Sequence, residues 1–498
     1  MTSVLLEGLN AAQEEAVRHE SGPLLILAGA GTGKTRTITR RVAWLVLECG
    51  VPASRILAIT FTNKAAAEMR KRVAEWVPHT GMWVGTFHAT CARMLRVDPE
   101  PVRRTSDFTI FDQDDKRKLI RNLIKDCGWD PLVFKPARFE SIISGWKHRR
   151  VGPASAAEES QLRGLEEQRA ARVYEVYEQS LERSDALDFD DLLWKGLQLL
   201  EADVHARWTG RFEHVLVDEY QDTNEIQYEF VRLLSARTRN LAVCGDPDQS
   251  IYSWRGADIR NILRFDQDYP DAAVVRLERN YRSVGNVLKA AQAVIRHNRA
   301  RKEKDLRTER EAGPPLGLAE APDEELEANL VGMQVARWVA AGTNPREIAI
   351  FYRTNACSRS IEAACTRLRI PYQVVGGLGF FERREIKDLL AFARLAVNPR
   401  DDAACQRALN VPPRGIGETT LVRLRAVAAE HEQPLTDAMR REEFRAGLRG
   451  PARKGMNDFI AILQKLRERT ATSEGALRAD LDLTGYRSFA EALEAPAD

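Results

Sequence analysis

The chain has 498 residues, 44% hydrophobic and 29% charged, a balance that excludes a disordered or fibrous polymer and suits a globular protein of about two to four domains. Lys and Arg number 74 against 72 Asp and Glu, so the net charge of +2 neither requires nor excludes nucleic acid, and any such binding must come from local clusters. The opening "MTSVLLEGLNAAQEEAVRHE" has no basic start followed by an apolar run, and no window approaches the roughly 18 apolar residues of a membrane span, so no membrane association and a cytoplasmic location are expected.

In chain order, short apolar and β-branched runs alternate with helical patterns: "LLILAG" (24–29), "ILAITF" (56–61), "MWVGTFH" (82–88), "HVLVDEY" (214–220), "LAVCGD" (241–246) and "AVVRLE" (273–278). This alternation predicts an α/β fold with a parallel sheet covered by helices. Residues 106–189 lose strand character and read as charged amphipathic helices, such as "DQDDKRKLIRNLIKDCG" and "GLEEQRAARVYEVYEQSLERS", inserted into the first domain. A weaker α/β pattern starts near "NYRS" and runs through "LGLAEA", "IAIFYR" and "YQVVGG", with "KEKDLRTEREAGPP" as an exposed loop. From 379 the chain is again helical and charged, and "PPRGIG" (412–417) is a turn between helices. Cys49, Cys91, Cys127, Cys244, Cys357, Cys365 and Cys405 form no C-x-x-C pair and read as small core residues in a reducing compartment.

"AGAGTGKT" follows a strand and precedes the helical "TRTITRRVAWLV", the context a phosphate-binding loop needs. Ala30, Gly31 and Gly33 keep the turn nearly free of side chains, so that backbone N–H groups can converge on a polyphosphate beside a helix N-terminus, and Lys34 adds a mobile charge. Ala28 stands where the G-x-x-x-x-G-K-[ST] pattern has its first glycine, while Gly33, Lys34 and Thr35 keep the pattern. Mg²⁺ takes hard oxygen ligands: Thr35 offers a hydroxyl, and "HVLVDEYQDTN" places Asp218 at the end of another strand as a second ligand, with Glu219 next to it to deprotonate an attacking water.

Eight segments in fixed order, "LNAAQEEAV", "AGAGTGKT", "TFTNKAAAEMRKR", "GTFHA", "VDEYQDTN", "GDPDQSIYSWRGA", "LERNYRS" and "FYRTNACSR", resemble superfamily 1 DNA helicases of the UvrD/Rep/PcrA type from residue 9 to about residue 417. The resemblance implies a first RecA-like ATP-binding domain (1–105 and 190–280) with a helical insertion (106–189), and the first part of a second RecA-like domain (281–378) with a helical insertion of its own (379–498). By the same resemblance Gln13 reads the adenine edge, Arg36 and Tyr281 flank the base, Gln249 senses the γ-phosphate and Arg282 places a cation on the transferring phosphoryl group. An amide can match adenine, a phenol can stack and a guanidinium can fork onto phosphate oxygens. The nucleic-acid face is expected where aromatics adjoin cations and a helix start: Phe61, Thr62 and Asn63, then Tyr252, Trp254 and Arg255, with His88 in the same groove. "GGLGFFERREIKDLL" (376–390) and "PPRGIG" also resemble the family, the latter as a possible duplex contact through turn amides.

The resemblance implies ATP and Mg²⁺ as cofactors, single-stranded DNA and single/double-strand junctions as partners, and 3′→5′ translocation coupled to strand separation. The T-x-H-x-x-K-G segment and the late arginine that the family carries do not follow residue 417, which predicts a truncated chain: a fragment, the product of an interrupted gene, or a half completed by a second polypeptide. A competing reading is therefore an ATP- and DNA-binding protein with weak ATPase and no unwinding by itself. A small-molecule P-loop kinase leaves the Trp254–Arg255 cluster and the helical insertion unexplained.

Overall fold

The computed structural model of the chain describes residues 4–78, 81–299, 301–375, 381, 383–470, 484–487 and 489; residues 376–380 and 382 of "GGLGFFERREIKDLL" lie outside them. These residues divide into two compact units, one within 1–313 together with 388 onward, the other within 314–387.

The first unit is built on a sheet whose six strands are the six runs read from the sequence: β1 (Leu24–Ala28), β2 (Ile56–Thr60), β3 (Trp83–Thr86), β6 (His214–Val217), β7 (Leu241–Gly245) and β8 (Ala273–Leu277). They lie in the order β3-β2-β6-β7-β1-β8, and every pairing is parallel. Alternate residues feed two cores. Leu25, Leu27, Ile59, Val215, Val217 and Val243 face one layer of helices, while Leu24, Ile26, Ala58, Leu216 and Ala242 face the other. Burial on both faces is why the central strands β1, β2, β6 and β7 read as apolar runs.

The insertion carries its own core of Phe111, Ile120, Ile124, Phe139, Ile143, Trp146, Tyr174 and Tyr177. Its helices α5 (Gln113–Asp126) and α8 (Leu165–Arg183) fall where the amphipathic pattern predicts them. The expectation of a strand-free insertion needs one correction. β4 (Thr109–Phe111) and β5 (Ala186–Asp188) form a two-stranded parallel ladder where the chain enters and leaves it. Three residues per strand are too few for a period-2 pattern to register. From 384 to 470 the chain is mostly helical as expected, and helices from Arg384–Val397 to Gly450–Thr470 gather round Phe392, Leu409, Met439, Phe444 and Phe459.

The second unit holds helices Glu324–Ala340 and Ser358–Arg367. The runs "LGLAEA", "IAIFYR" and "YQVV" expected as strands form no ladder among the described residues, and Leu318 and Phe351 are exposed. An alternating pattern marks a chain that can pair, but the strand exists only where a neighbour supplies the hydrogen bonds. A second correction concerns "KEKDLRTEREAGPP", which packs inward at its start: the Lys304 side chain is only 3% exposed, and Arg307 pairs with Arg279 in a parallel bridge.

All seven cysteines are free, and Cys91, Cys244, Cys365 and Cys405 are buried. Among the described residues no helix is long and apolar enough to cross a membrane.

Candidate functional site

Because all six strands run parallel, their C-terminal ends open on one edge, and the sequence-predicted site residues of the first unit lie in the loops leaving that edge or beside them. The loop after β1 passes through Gly31 (φ +70°) and Gly33 (φ +87°) into helix α2 (Lys34–Leu47). Both glycines are needed twice over, for the left-handed backbone and for space. A methyl at Gly31 would stand 2.7 Å from Asn280 Nδ2, and one at Gly33 would stand 2.7 Å from Gln13 Nε2. Three braces hold the loop from outside. Gln13 Nε2 donates to the Thr32 carbonyl (2.9 Å), Asn280 Nδ2 donates to the Ala30 carbonyl (2.6 Å), and the Tyr281 amide donates to the Gly31 carbonyl (2.9 Å). With its carbonyls turned outward to these donors, the loop is free to aim its amides inward.

Lys34 Nζ lies 2.7 Å from Glu219 Oε2 across this edge. Burial acts against the ammonium, but Glu219 outweighs it and the Lys34 pKa is raised. Glu219 sits at the end of β6 in the left-handed region (φ +53°), uncommon for a residue with a Cβ, and this turn brings its carboxylate over the loop. Asp218, just before it, is 7% exposed and accepts the Glu219 amide at 3.0 Å. Burial first and Glu219 second push its pKa up to about 6. A buried carboxylate held this way lacks a full counter-charge; it and the Thr35 hydroxyl at the start of α2 are hard oxygens of the kind Mg²⁺ takes when most of its other ligands are water or phosphate. The donor set therefore fits the ion. Among the described residues no group of three or more His, Cys, Asp or Glu could hold a metal.

Sequence reasoning missed the residues that join these pieces. Gln221 is 1% exposed; its Nε2 donates to Glu219 Oε2 (2.9 Å) and Asp222 Oδ2 (3.2 Å), and its Oε1 accepts the Asp246 amide (2.9 Å). Asp246 Oδ2 in turn accepts from Gln249 Nε2 at 2.6 Å. Asn280 was equally hidden. Polar residues of this kind carry no periodicity, and the contacts that tie them across the site, Gln221 to Asp246 and Asn280 to Ala30, are distant in sequence.

The structure places the remaining nucleotide-side candidates around the loop. Gln13 is 1% exposed and completes a capping box with Asn10, so its amide is committed to the loop and to its own helix. Tyr281 is 44% exposed, accepts from Asn10 Nδ2 (2.8 Å) and has the Arg279 guanidinium 5.1 Å from its ring. Arg36 is exposed and donates to the Glu7 carbonyl (3.2 Å), and Arg282 is exposed with its Cβ against Gly31.

Loops after β2 and β7 form an aromatic ledge. Phe61 and Tyr252 have ring centroids 4.9 Å apart, and Tyr252 and Trp254 6.4 Å apart. Trp254 is 71% exposed, with the Arg255 guanidinium 4.6 Å from its ring. Thr62 caps helix α3 (Asn63–Ala74) by accepting the Ala65 amide, so Asn63 begins that helix beside Phe61. His88, after β3, meets Phe189 edge to face at 5.9 Å, and burial lowers its pKa. Phe189 is 47% exposed, an aromatic at the surface that the acidic run around it concealed in the sequence.

A parallel sheet with a phosphate-type loop and a strand-end Asp-Glu pair on one edge is the architecture of a P-loop nucleotide-binding protein, here with an exposed aromatic ledge beside it. The sequence profile of the UvrD/REP helicase N-terminal domain matches residues 9–270 and that of the UvrD-like helicase C-terminal domain matches residues 275–449. The chain belongs to the UvrD/REP helicase family. It is similar to the ATP-dependent DNA helicase PcrA of Staphylococcus epidermidis, 41% identical over 493 residues, which is 98% of this chain and 67% of that protein. It is likewise similar to the PcrA helicase of Staphylococcus aureus, 40% identical over 495 residues, with 98% and 67% covered.

Proposed function

We propose that the chain is an ATP-dependent DNA helicase that moves 3′→5′ along single-stranded DNA and acts at single/double-strand junctions in repair or replication. What supports this most is the placement of the Lys34–Glu219 pair and the Phe61–Tyr252–Trp254 ledge in loops from one sheet edge, where a movement of one can reach the other through short loops.

In this reading the loop from Ala30 to Gly33 and the start of α2 hold the triphosphate of ATP, and Lys34 exchanges Glu219 for phosphate oxygens. That exchange releases Glu219 to take a proton from the attacking water, while Gln221 keeps the carboxylate in place. Thr35 and Asp218 would hold Mg²⁺, which supplies positive charge to the phosphate oxygens. Arg282 adds charge at the transferring phosphoryl group, Gln249 answers to its presence, and Gln13, Arg36 and Tyr281 serve the base. Tyr252 and Trp254 stack nucleotide bases, Arg255 and Asn63 meet the backbone, and Phe61, Thr62 and His88 complete the groove. Stacking tolerates any base, which a motor stepping along arbitrary sequence requires.

ATP turnover measured with and without single-stranded DNA tests the reading: turnover is expected to rise with DNA, and turnover indifferent to DNA overturns it. Unwinding of 3′-tailed but not 5′-tailed duplexes is expected for the polarity, and the reverse preference overturns that part alone.

A further inference from the structure

The segment from Arg301 to Arg307 carries four basic residues that no step above employs. Its backbone is anchored beside the "LERNYRS" strand end: the Arg307 amide donates to the Glu278 carbonyl (2.9 Å), and the Asn280 amide donates to the Arg307 carbonyl (2.7 Å). This anchoring lays Leu306 against Gly29, close enough that a methyl on that glycine would collide with it. It also drives Lys304 into the loop after β7, where its ammonium pairs with Asp246 Oδ1 and, at 2.8 Å, with Asp248 Oδ2. Arg301 reaches Asp248 at 3.2 Å and Lys302 reaches Asp266 at 2.7 Å.

Taking an ammonium out of water is costly unless fixed carboxylates compensate it, so Lys304 and its two aspartates hold one another in place. Asp246 is the pivot. One of its oxygens is held by Lys304, the other receives the Gln249 amide, and its backbone N–H is bound by Gln221, whose own amide reaches Glu219. A continuous set of contacts therefore runs from Lys34 through Glu219, Gln221 and Asp246 to Lys304, and the clamped turn leads within a few residues to Tyr252 and Trp254.

We propose that Lys304 is a positioning residue for DNA-stimulated ATP hydrolysis: by pinning Asp246 and Asp248 it sets where Gln249 stands between the phosphate loop and the aromatic ledge. The proposal rests on the motor reading above. It makes the segment after "LERNYRS" part of the coupling machinery, although Lys304 touches neither the phosphate loop's lysine nor the ledge.

The experiment compares the unsubstituted chain with Lys304→Met and Lys304→Arg in three measurements: steady-state ATP turnover with single-stranded DNA, affinity for the fluorescent nucleotide mant-ADP, and thermal unfolding. Lys304→Met is expected to lower DNA-stimulated kcat by ~10–100-fold, the scale on which small displacements of catalytic groups act, with KM for ATP and mant-ADP affinity changed less than about twofold. Lys304→Arg should recover most of the loss, and in a Gln249→Ala background Lys304→Met should cost nothing more. Undiminished stimulation in Lys304→Met overturns the proposal, as does a melting temperature that falls equally in both variants together with nucleotide affinity. Should Lys304→Met fail to fold, Asp248→Asn removes the pairs that Lys304 and Arg301 make with Asp248 and is expected to lower stimulated kcat; full stimulation there overturns the proposal. An unsubstituted chain that DNA does not stimulate overturns the motor reading itself, an outcome visible before any variant is examined.

Discussion

Lys34 and Lys147 are both lysines removed from bulk water and neutralised by carboxylates, yet they belong to opposite kinds of structure. Lys147, in the helical insertion, is fully buried and reaches Glu178 (2.7 Å), Asp188 (3.0 Å) and Asp191 (2.6 Å), with the Tyr177 ring 5.0 Å away. Burial opposes its charge, but the three acids prevail and hold its pKa well above the usual lysine range. An ammonium has three donors, so Lys147 has nothing left to offer a ligand. Lys34 keeps 12% of its side chain exposed and pairs with Glu219, whose own side chain is 33% exposed, and it faces a loop emptied of side chains by glycine. Similar chemistry thus makes a scaffold where every donor is committed, and, in the proposed function, a cation whose single partner phosphate oxygens can replace.

The largest effect should come from the closed cluster. Lys147→Met leaves buried carboxylates uncompensated and is expected to lower the unfolding free energy by about 3–5 kcal/mol in urea titration. A loss below about 1 kcal/mol would mean that the insertion tolerates the change and that the contrast drawn above is wrong. Lys34→Ala should do the reverse. Glu219 is exposed enough to be rehydrated, so stability should hold within about 1 kcal/mol, while ATP turnover falls by ~10²–10³ or more, the scale of removing a charge-stabilising group from a site. Unfolding and turnover failing together in Lys34→Ala would show that this pair is structural after all.

The contrast also explains what the sequence could disclose. The central strands β1, β2, β6 and β7 are buried on both faces, so their apolar runs are dictated by burial and visible in the chain. The loop from Gly29 to Lys34 and the Asp218–Glu219 pair are legible for a similar reason, since backbone space and hard oxygen ligands restrict which residues can serve there. Lys147 in "SGWKHRR" and Lys304 in "KEKDLR" look like solvated charges, because what buries them lies far along the chain: Asp188 is 41 residues from Lys147, and Asp246 is 58 from Lys304. Asn280 and Gln221 escaped for the same reason. Among the described residues the runs expected as strands after residue 313 form no ladder, because an alternating run states only that one face is apolar and not that a neighbour is there to pair with it.

A smaller effect is expected at the open ledge. Trp254 is held by the Tyr252 ring and Arg255 at one side and by solvent at the other, so Trp254→Ala should leave the fold intact and weaken binding of single-stranded DNA by ~1–3 kcal/mol in fluorescence anisotropy. Affinity unchanged at low salt would remove the tryptophan from the groove. It would also leave the phosphate side as the sole exchangeable surface in the comparison.

The smallest effect concerns a buried base that forms no ion pair with an acid among the described residues. His214 begins β6, the strand that ends at Asp218, and is 4% exposed. Burial pushes its pKa down to about 4 from 6.5, and the nearby Arg41 and His19 add to the shift. Lys147 keeps its charge because carboxylates surround it, whereas His214, among cations, must stay neutral in the fold. Between pH 6.5 and 4 the unfolded chain binds a proton at this position that the folded chain refuses, so stability contributed by His214 is whole above pH 6.5 and is lost as the pH falls towards 4. Between pH 7 and pH 5 the unsubstituted chain should lose about 1–2 kcal/mol more unfolding free energy than His214→Gln, which cannot titrate. Equal slopes in the two proteins would mean that the imidazole is protonated or hydrated in the fold, and that burial without an acid partner does not by itself decide whether a basic side chain here carries charge.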